Sequence, residues 1–163
     1  MNDLEEKIVH TYGHKLRVRV CGICIEEGKL LLVRHQGLGT SGSLWTPPGG
    51  GMQYGESAPE ALKREFMEET GLQIEVLRFL FIHEYLDPPL HGIELFFEVK
   101  KVGGTVKTGY DPEMEEESQL ITETAFKDLE EMKMEAPETL HAVLQNFNDL
   151  KAILNQQGYF KFH

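Results

Sequence analysis

The sequence predicts an α/β protein: an α/β/α sandwich in which a central mixed β-sheet lies between helices. Three observations carry that prediction. Several alternating or apolar runs read as strands. Between them lies one helix whose start and stop signals are both explicit, and a second apolar periodicity of three and four residues occupies the C-terminal part. Residues 1–163 are expected to form one domain, a length sufficient to bury a sizeable core.

Residues 1–15 have only Leu4, Ile8 and Val9 as apolar anchors and read as an arm or a short helix. Leu16 to Ile25 reads as a strand, Glu27-Gly28 as a turn, and Lys29 to Arg34 as the second strand of a hairpin. His35 to Ser43 is loop by composition. Trp45-Thr46-Pro47-Pro48 then stiffens the approach to Gly49-Gly50-Gly51, where the backbone can come closer to its neighbours than a side chain permits. Ser57 and Glu60 form a capping box with Pro59 in the first turn, and the helix runs to Thr70, with Gly71 as its C-terminal cap. Ile74 to Leu86 is a long strand ended by Asp87-Pro88-Pro89, and Ile93 to Val102 another, ended by Gly103-Gly104. Thr105 to Glu117 is acidic and loop-like, Leu120 to Phe126 one more strand, and Lys127 to Met132 a helical turn. Pro137 to Gln156 reads as the second main helix, on Leu140, Val143, Leu144, Phe147, Leu150 and Leu154. The aromatic tail Tyr159-Phe160-Lys161-Phe162 is expected to pack on the body or on a second subunit, which is compatible with a homodimer.

Lys and Arg number 16 against 27 Asp and Glu, a formal net charge of −11. That balance lacks the broad basic footprint of a nucleic-acid binder. It also repels a polyphosphate unless a cation intervenes. No apolar run is long enough to span a bilayer, and the polar, acidic N-terminus does not read as a secretory signal, so a cytoplasmic protein without a membrane partner is expected. Cys21 and Cys24 lie three apart on a strand and so point to opposite faces; they are expected to be reduced, buried thiols.

The chemistry concentrates between Gly50 and Leu72. Glu65, Glu68 and Glu69 stand at i, i+3 and i+4, so their carboxylates share one helical face. Ala58, Ala61, Leu62 and Phe66 form the stripe that must face the core, which sets Glu65 and Glu69 near its edge. Arg64 can pair with Glu68 or Glu60, but one guanidinium does not balance the set. Oxygen-only ligands favour a hard divalent cation, Mg²⁺ or Mn²⁺, which completes its shell with water and substrate phosphates. Such an ion can polarise phosphoryl oxygens and activate a water, and a carboxylate can take that water's proton. A charged helix face alone is routine. Its union with the glycine loop is not.

Gly50, five residues, Glu56, seven residues, then Arg64-Glu65-Phe66-Met67-Glu68-Glu69-Thr70-Gly71-Leu72 resembles the Nudix box at all nine defined positions over 23 residues. The flanking hairpin, the PPGGG entry and the strand after Gly71 resemble the family's layout more loosely, and beyond about Val102 the resemblance is weak. It implies a Nudix-like α/β/α sandwich and Mg²⁺-dependent hydrolysis of the diphosphate linkage in a nucleoside diphosphate derivative, such as a nucleoside triphosphate or ADP-ribose. It assigns metal binding to Glu65, Glu68, Glu69 and the Gly50 carbonyl, catalysis to Glu68, Glu69 and Arg64, and a supporting role to Glu56. In many relatives a later loop supplies a further ligand or base; here Glu115 or Glu116 is the candidate.

Substrate choice lies outside the box. Tyr54, Trp45, Phe81 and Tyr85 are candidates for stacking on a nucleobase. Phe79, Phe81, His83 and Tyr85 alternate onto one strand face, which as an aromatic strand face packs as core or interface more often than it binds ligand. His83 and His91 lack zinc-site spacing and read as structural or surface residues. Pro88, 16 residues past the box, resembles a feature of relatives that cleave ADP-ribose. Two other functions compete with hydrolysis: a nucleotide-binding regulatory module that does not cleave, and a prenyl-diphosphate isomerase relative, which would want a reactive acid–base pair with a cysteine as one candidate, supplied by Cys21 or Cys24 only if exposed.

Overall fold

The computed structural model describes residues 2–116, 119–145 and 147–161. Helix α1 (Asp3–Tyr12) leads into β1 (Leu16–Glu26), and a two-residue Glu27-Gly28 turn, with both residues at positive φ, returns the chain as β2 (Lys29–Gln36). Strands β3 (Ser43–Thr46) and β4 (Gly49–Gly51) precede helix α2 (Ala58–Thr70). A long hairpin, β5 (Leu72–Asp87) and β6 (Leu90–Gly104), turns at Pro88-Pro89. Strand β7 (Ile121–Lys127), helix α3 (Leu129–Lys133), three 3₁₀ turns and β8 (Gly158–Phe160) follow.

The strands form one mixed sheet in the order β3-β2-β1-β6-β5-β8, with β4 also on β1 and β7 on β2. Strand β1 is its pivot. Leu16 to Cys24 lie parallel to β6, Arg19 to Cys21 also lie antiparallel to β4, and only Ile25 and Glu26 pair with β2. The expected hairpin is therefore a short splice between two parts of the sheet. Residues three apart on β1 part company as expected: Cys21 joins the core beneath the C-terminal turns, and Cys24 joins the core beneath α2. Both thiols are free and buried. Layers on the two faces make the α/β/α sandwich.

Two expectations change. Residues 137–156 do not form one helix but 3₁₀ turns at Pro137–Thr139, Ala142–Leu144 and Leu150–Asn155. Side chains that bond the backbone locally divide the segment: the His141 ring accepts from the Val143 N–H, and the Asp149 carboxylate accepts from the Lys151 N–H. The His141 N–H in turn donates to the Trp45 carbonyl, tying the chain to β3 in an extended form. The apolar spacing survives because Leu140, Val143, Leu144, Leu150 and Ile153 still enter one core. Second, the four aromatic positions on β5 do not share a face. A register shift between Phe79 and Phe81 sends Phe79 to stack edge-on with Phe97, while Phe81 stacks on Phe96 on the opposite side. In the tail, β8 adds parallel to β5 and Phe160 packs edge-on against Phe81; Phe162 lies outside the described residues. Among the described residues no helix is long and apolar enough to cross a membrane.

Candidate active site

Helix α2 supplies one wall of a cavity of about 980 Å³, measured out to its open mouth. The capping box forms as the sequence dictates, and Gly71 takes the left-handed conformation that ends the helix. Ala61, Leu62 and Phe66 are fully buried against the sheet, which turns Glu65, Glu68 and Glu69 toward the cavity. Arg64 braces this wall. Its Nε and Nη2 donate to Glu56 at 3.1 and 2.7 Å, and its Nη1 donates to Glu65 at 2.8 Å and to Glu68 at 3.1 Å. Glu60 is taken by the cap instead. Glu69 accepts the Gly49 N–H at 2.9 Å. A Cβ at Gly50 would run into the Glu65 carboxyl, so that glycine is required for close approach.

The acids are under-compensated. Burial pushes Glu65 up to about 7 despite Arg64, raises Glu68, and raises Glu69 well above the usual carboxylate range with Glu65 adding to the effect. Buried carboxylates that resist ionising, all with oxygen donors, fit a hard divalent cation at this wall.

The opposite wall was not anticipated. Arg17 and Arg19, two apart on β1, line the cavity facing the acids. The R-V-R-V alternation was the available signal. The loop after β6 adds a third side. Lys107, Gly109 and Tyr110 donate their N–H groups to the carbonyls of Thr70, Glu69 and Glu68, satisfying the open end of α2. That attachment delivers Asp111 and Glu113 to the cavity. Asp111 accepts from the Tyr12 hydroxyl at 2.6 Å, and Glu113 pairs with Arg17 at 3.3 Å.

At the far end stand Tyr85, Glu94, His141, His35 and the apolar Leu38, Leu44 and Leu90. Burial, followed by Asp87 and Glu94, pushes the Tyr85 phenol up to about 12, so it stays protonated. His83 Nδ1 and His141 Nε2 lie 2.8 and 2.9 Å from the same oxygen of Glu94, and this trio forms a group whose ligand atoms could hold a metal. The Val143 N–H occupies His141 Nδ1, which leaves the ring proton on Nε2 and favours hydrogen bonding over ligation.

The structure thus brings Gly50, Glu65, Glu68, Glu69, Arg64 and Tyr85 to one cavity, with Glu56 held behind Arg64. Other expected positions stand elsewhere. Trp45 and Phe81 are 1% exposed in the core, because β3 and β5 turn those side chains inward. Tyr54, in the turn before α2, projects fully into solvent. Glu115 lies on the surface near Lys7, and Glu116 is exposed outside the cavity lining; Asp111 and Glu113 occupy the place expected for them. The loop's last expected residue, Glu117, is outside the described residues. Neither buried cysteine lines the cavity, so neither supplies the acid–base pair that an isomerase reading would want.

The NUDIX domain profile matches residues 13–146, and the chain belongs to the NUDIX family. Curated relatives include the ADP-ribose pyrophosphatase of Methanocaldococcus jannaschii, 35% identical over 58% of this chain and 56% of that one. Phosphatase NudJ of Escherichia coli K12 is 34% identical over 45% and 47%. The chain spans about half the length of the curated relatives it matches. Among solved structures, a MutT NUDIX hydrolase from Burkholderia pseudomallei shares the fold at a TM-score of 0.65, with 19% identity over 87% of this chain and 98% of that one. An ADP-ribose pyrophosphatase from Streptococcus suis does so at 0.60, with 18% identity over 88% and 98%.

Proposed function

We propose that the protein is a Mg²⁺-dependent pyrophosphohydrolase, with Mn²⁺ as a substitute, that cleaves the diphosphate linkage of a nucleoside diphosphate derivative. One observation carries this reading: an under-neutralised carboxylate wall and two guanidiniums line the same open cavity. A polyphosphate with its cation satisfies both walls at once. Glu65, Glu68 and Glu69, with the Gly50 carbonyl beside them, would hold the cation, which supplies polarisation of the phosphoryl oxygens. Arg64 and Glu56 keep those carboxylates in place. Arg17 and Arg19 bind the phosphate oxygens that face away from α2. Asp111, oriented by Tyr12, takes the proton of the attacking water as its oxygen bonds to phosphorus and the P–O–P bond breaks, giving two phosphate-bearing products.

The test is a hydrolysis screen over dNTPs, ADP-ribose, NADH, nucleotide sugars and dinucleoside polyphosphates, with Mg²⁺ and with a chelator. ADP-ribose heads the panel because of the names of two relatives. Chelator-sensitive phosphate or nucleotide release is expected. Saturable binding without turnover across the panel would replace this reading with a non-catalytic nucleotide-binding module.

A further inference from the structure

The far end of the cavity holds a second buried carboxylate with a different character. Glu94 sits on β6, 5% exposed, in the cavity lining. Its Oε2 lies 2.8 Å from His83 Nδ1 and 2.9 Å from His141 Nε2. The His141 proton is on Nε2, because Nδ1 accepts the Val143 N–H at 3.2 Å. A carboxylate only accepts, so the His83 contact is likewise an N–H donation. Oε2 is therefore anchored by the His83 N–H, with the His141 ring nitrogen beside it at ion-pair distance. Oε1 differs: its nearest charged neighbour is Arg19 Nε at 3.5 Å, an ion-pair separation longer than a good hydrogen bond.

The Tyr85 and His141 rings stack 6.1 Å apart at 28° in the same cavity, whose lining also includes the apolar Leu38, Leu44 and Leu90. Such a lining suits a heterocycle, and a fixed carboxylate oxygen requires that the heterocycle present a donor.

We propose that Glu94 is a specificity-determining residue whose Oε1 accepts a hydrogen bond from the amino group of an amino-bearing nucleobase. It deepens the nucleotide reading above and rests on it. The chain selects adenine over hypoxanthine because a keto oxygen turned toward Oε1 would set two acceptors against each other. The histidines also determine what a substitution does. In E94Q the amide turns its oxygen toward the His83 N–H, which leaves its NH₂ facing the ligand. The acceptor becomes a donor, and the preference should reverse.

The experiment measures calorimetric binding of ADP and IDP, with Mg²⁺ present, to the wild-type protein and to E94Q. Wild type is expected to favour ADP by roughly ten- to a hundredfold, the range for a hydrogen bond to a charged group. E94Q is expected to lose or invert that preference. Equal binding of ADP and IDP by wild type, or no binding of either, overturns the proposal without any variant having to fold. Equal weakening of both nucleotides in E94Q also overturns it, since that is what a purely structural Glu94 produces. So does one equivalent of Zn²⁺ retained by wild type and lost from H83A, which would make the trio a metal site. The hydrolysis reading fails separately, if the panel shows no turnover while the ADP preference stands.

Discussion

Glu69 and Glu94 are both 5% exposed and both line the same cavity, yet they are driven in opposite directions. Glu69 is raised well above the usual range by burial and by Glu65, with the Gly49 N–H and Arg19 opposing only in part. For Glu94 burial also pushes upward, but His141, the His83 hydrogen bond and Arg19 overcome it and hold the carboxyl far below that range. Burial alone therefore does not say what a carboxylate is for. Its neighbours do. The near wall is an anion set that the fold leaves under-compensated, and at the far end the fold compensates the anion's charge.

The largest expected effect tests that asymmetry at the near wall. E69Q should lower kcat by more than about a hundredfold, at least the cost of disturbing a metal site's supporting shell. It should leave the melting temperature unchanged or higher, because a neutral amide avoids the desolvation that Glu69 suffers. A large fall in melting temperature would mean that the fold already compensates the Glu69 charge, as it does that of Glu94. Next, D111N should cost on the order of a hundredfold in kcat, the lower end for a general base, whereas E115Q should stay within about twofold of wild type. Comparable losses in both variants would return the base to the outer loop. G50A acts through geometry alone. Its Cβ displaces the Glu65 carboxyl, and a misplacement of that kind costs up to about a hundredfold; unchanged kcat would free Glu65 from the reacting centre.

The smallest effect belongs to the far end and concerns stability. Burial, then Arg19, hold His35 down to about 4 against an opposing pull from Asp111, with His141 adding a smaller push downward. The folded state thus resists a proton that the unfolded chain accepts. The sign follows from linkage: stability is unaffected above about pH 6.5, falls as pH drops toward 4, and levels below it. The loss should reach about 3 kcal/mol if that shift is fully expressed. Denaturant melts of wild type and H35Q across this window check it, with H35Q expected to show the shallower decline.

The near wall was legible because its information is local. A helix's period, its capping box and its stop glycine all lie within Gly50–Leu72, and i, i+3 and i+4 place three carboxylates together without reference to the rest of the chain. The family resemblance rests on the same 23 residues. The far end was not legible because its members come from β1, β2, β5, β6 and the 3₁₀ turn after His141. Glu94 lies within a strand that reads only as I-E-L-F-F, and the sheet register and the Trp45–His141 backbone bond show which histidines meet it. The same holds for Asp111 against Glu115. Composition made the whole loop acidic, and three N–H groups donated to the end of α2 decided which acid entered the cavity. Chain-local periodicity thus determined the fold class and the carboxylate-bearing helix. Long-range strand pairing decided which side chains complete the cavity, because such contacts depend on register across the sheet, and a shift of one residue, as between Phe79 and Phe81, sends a side chain to the other face.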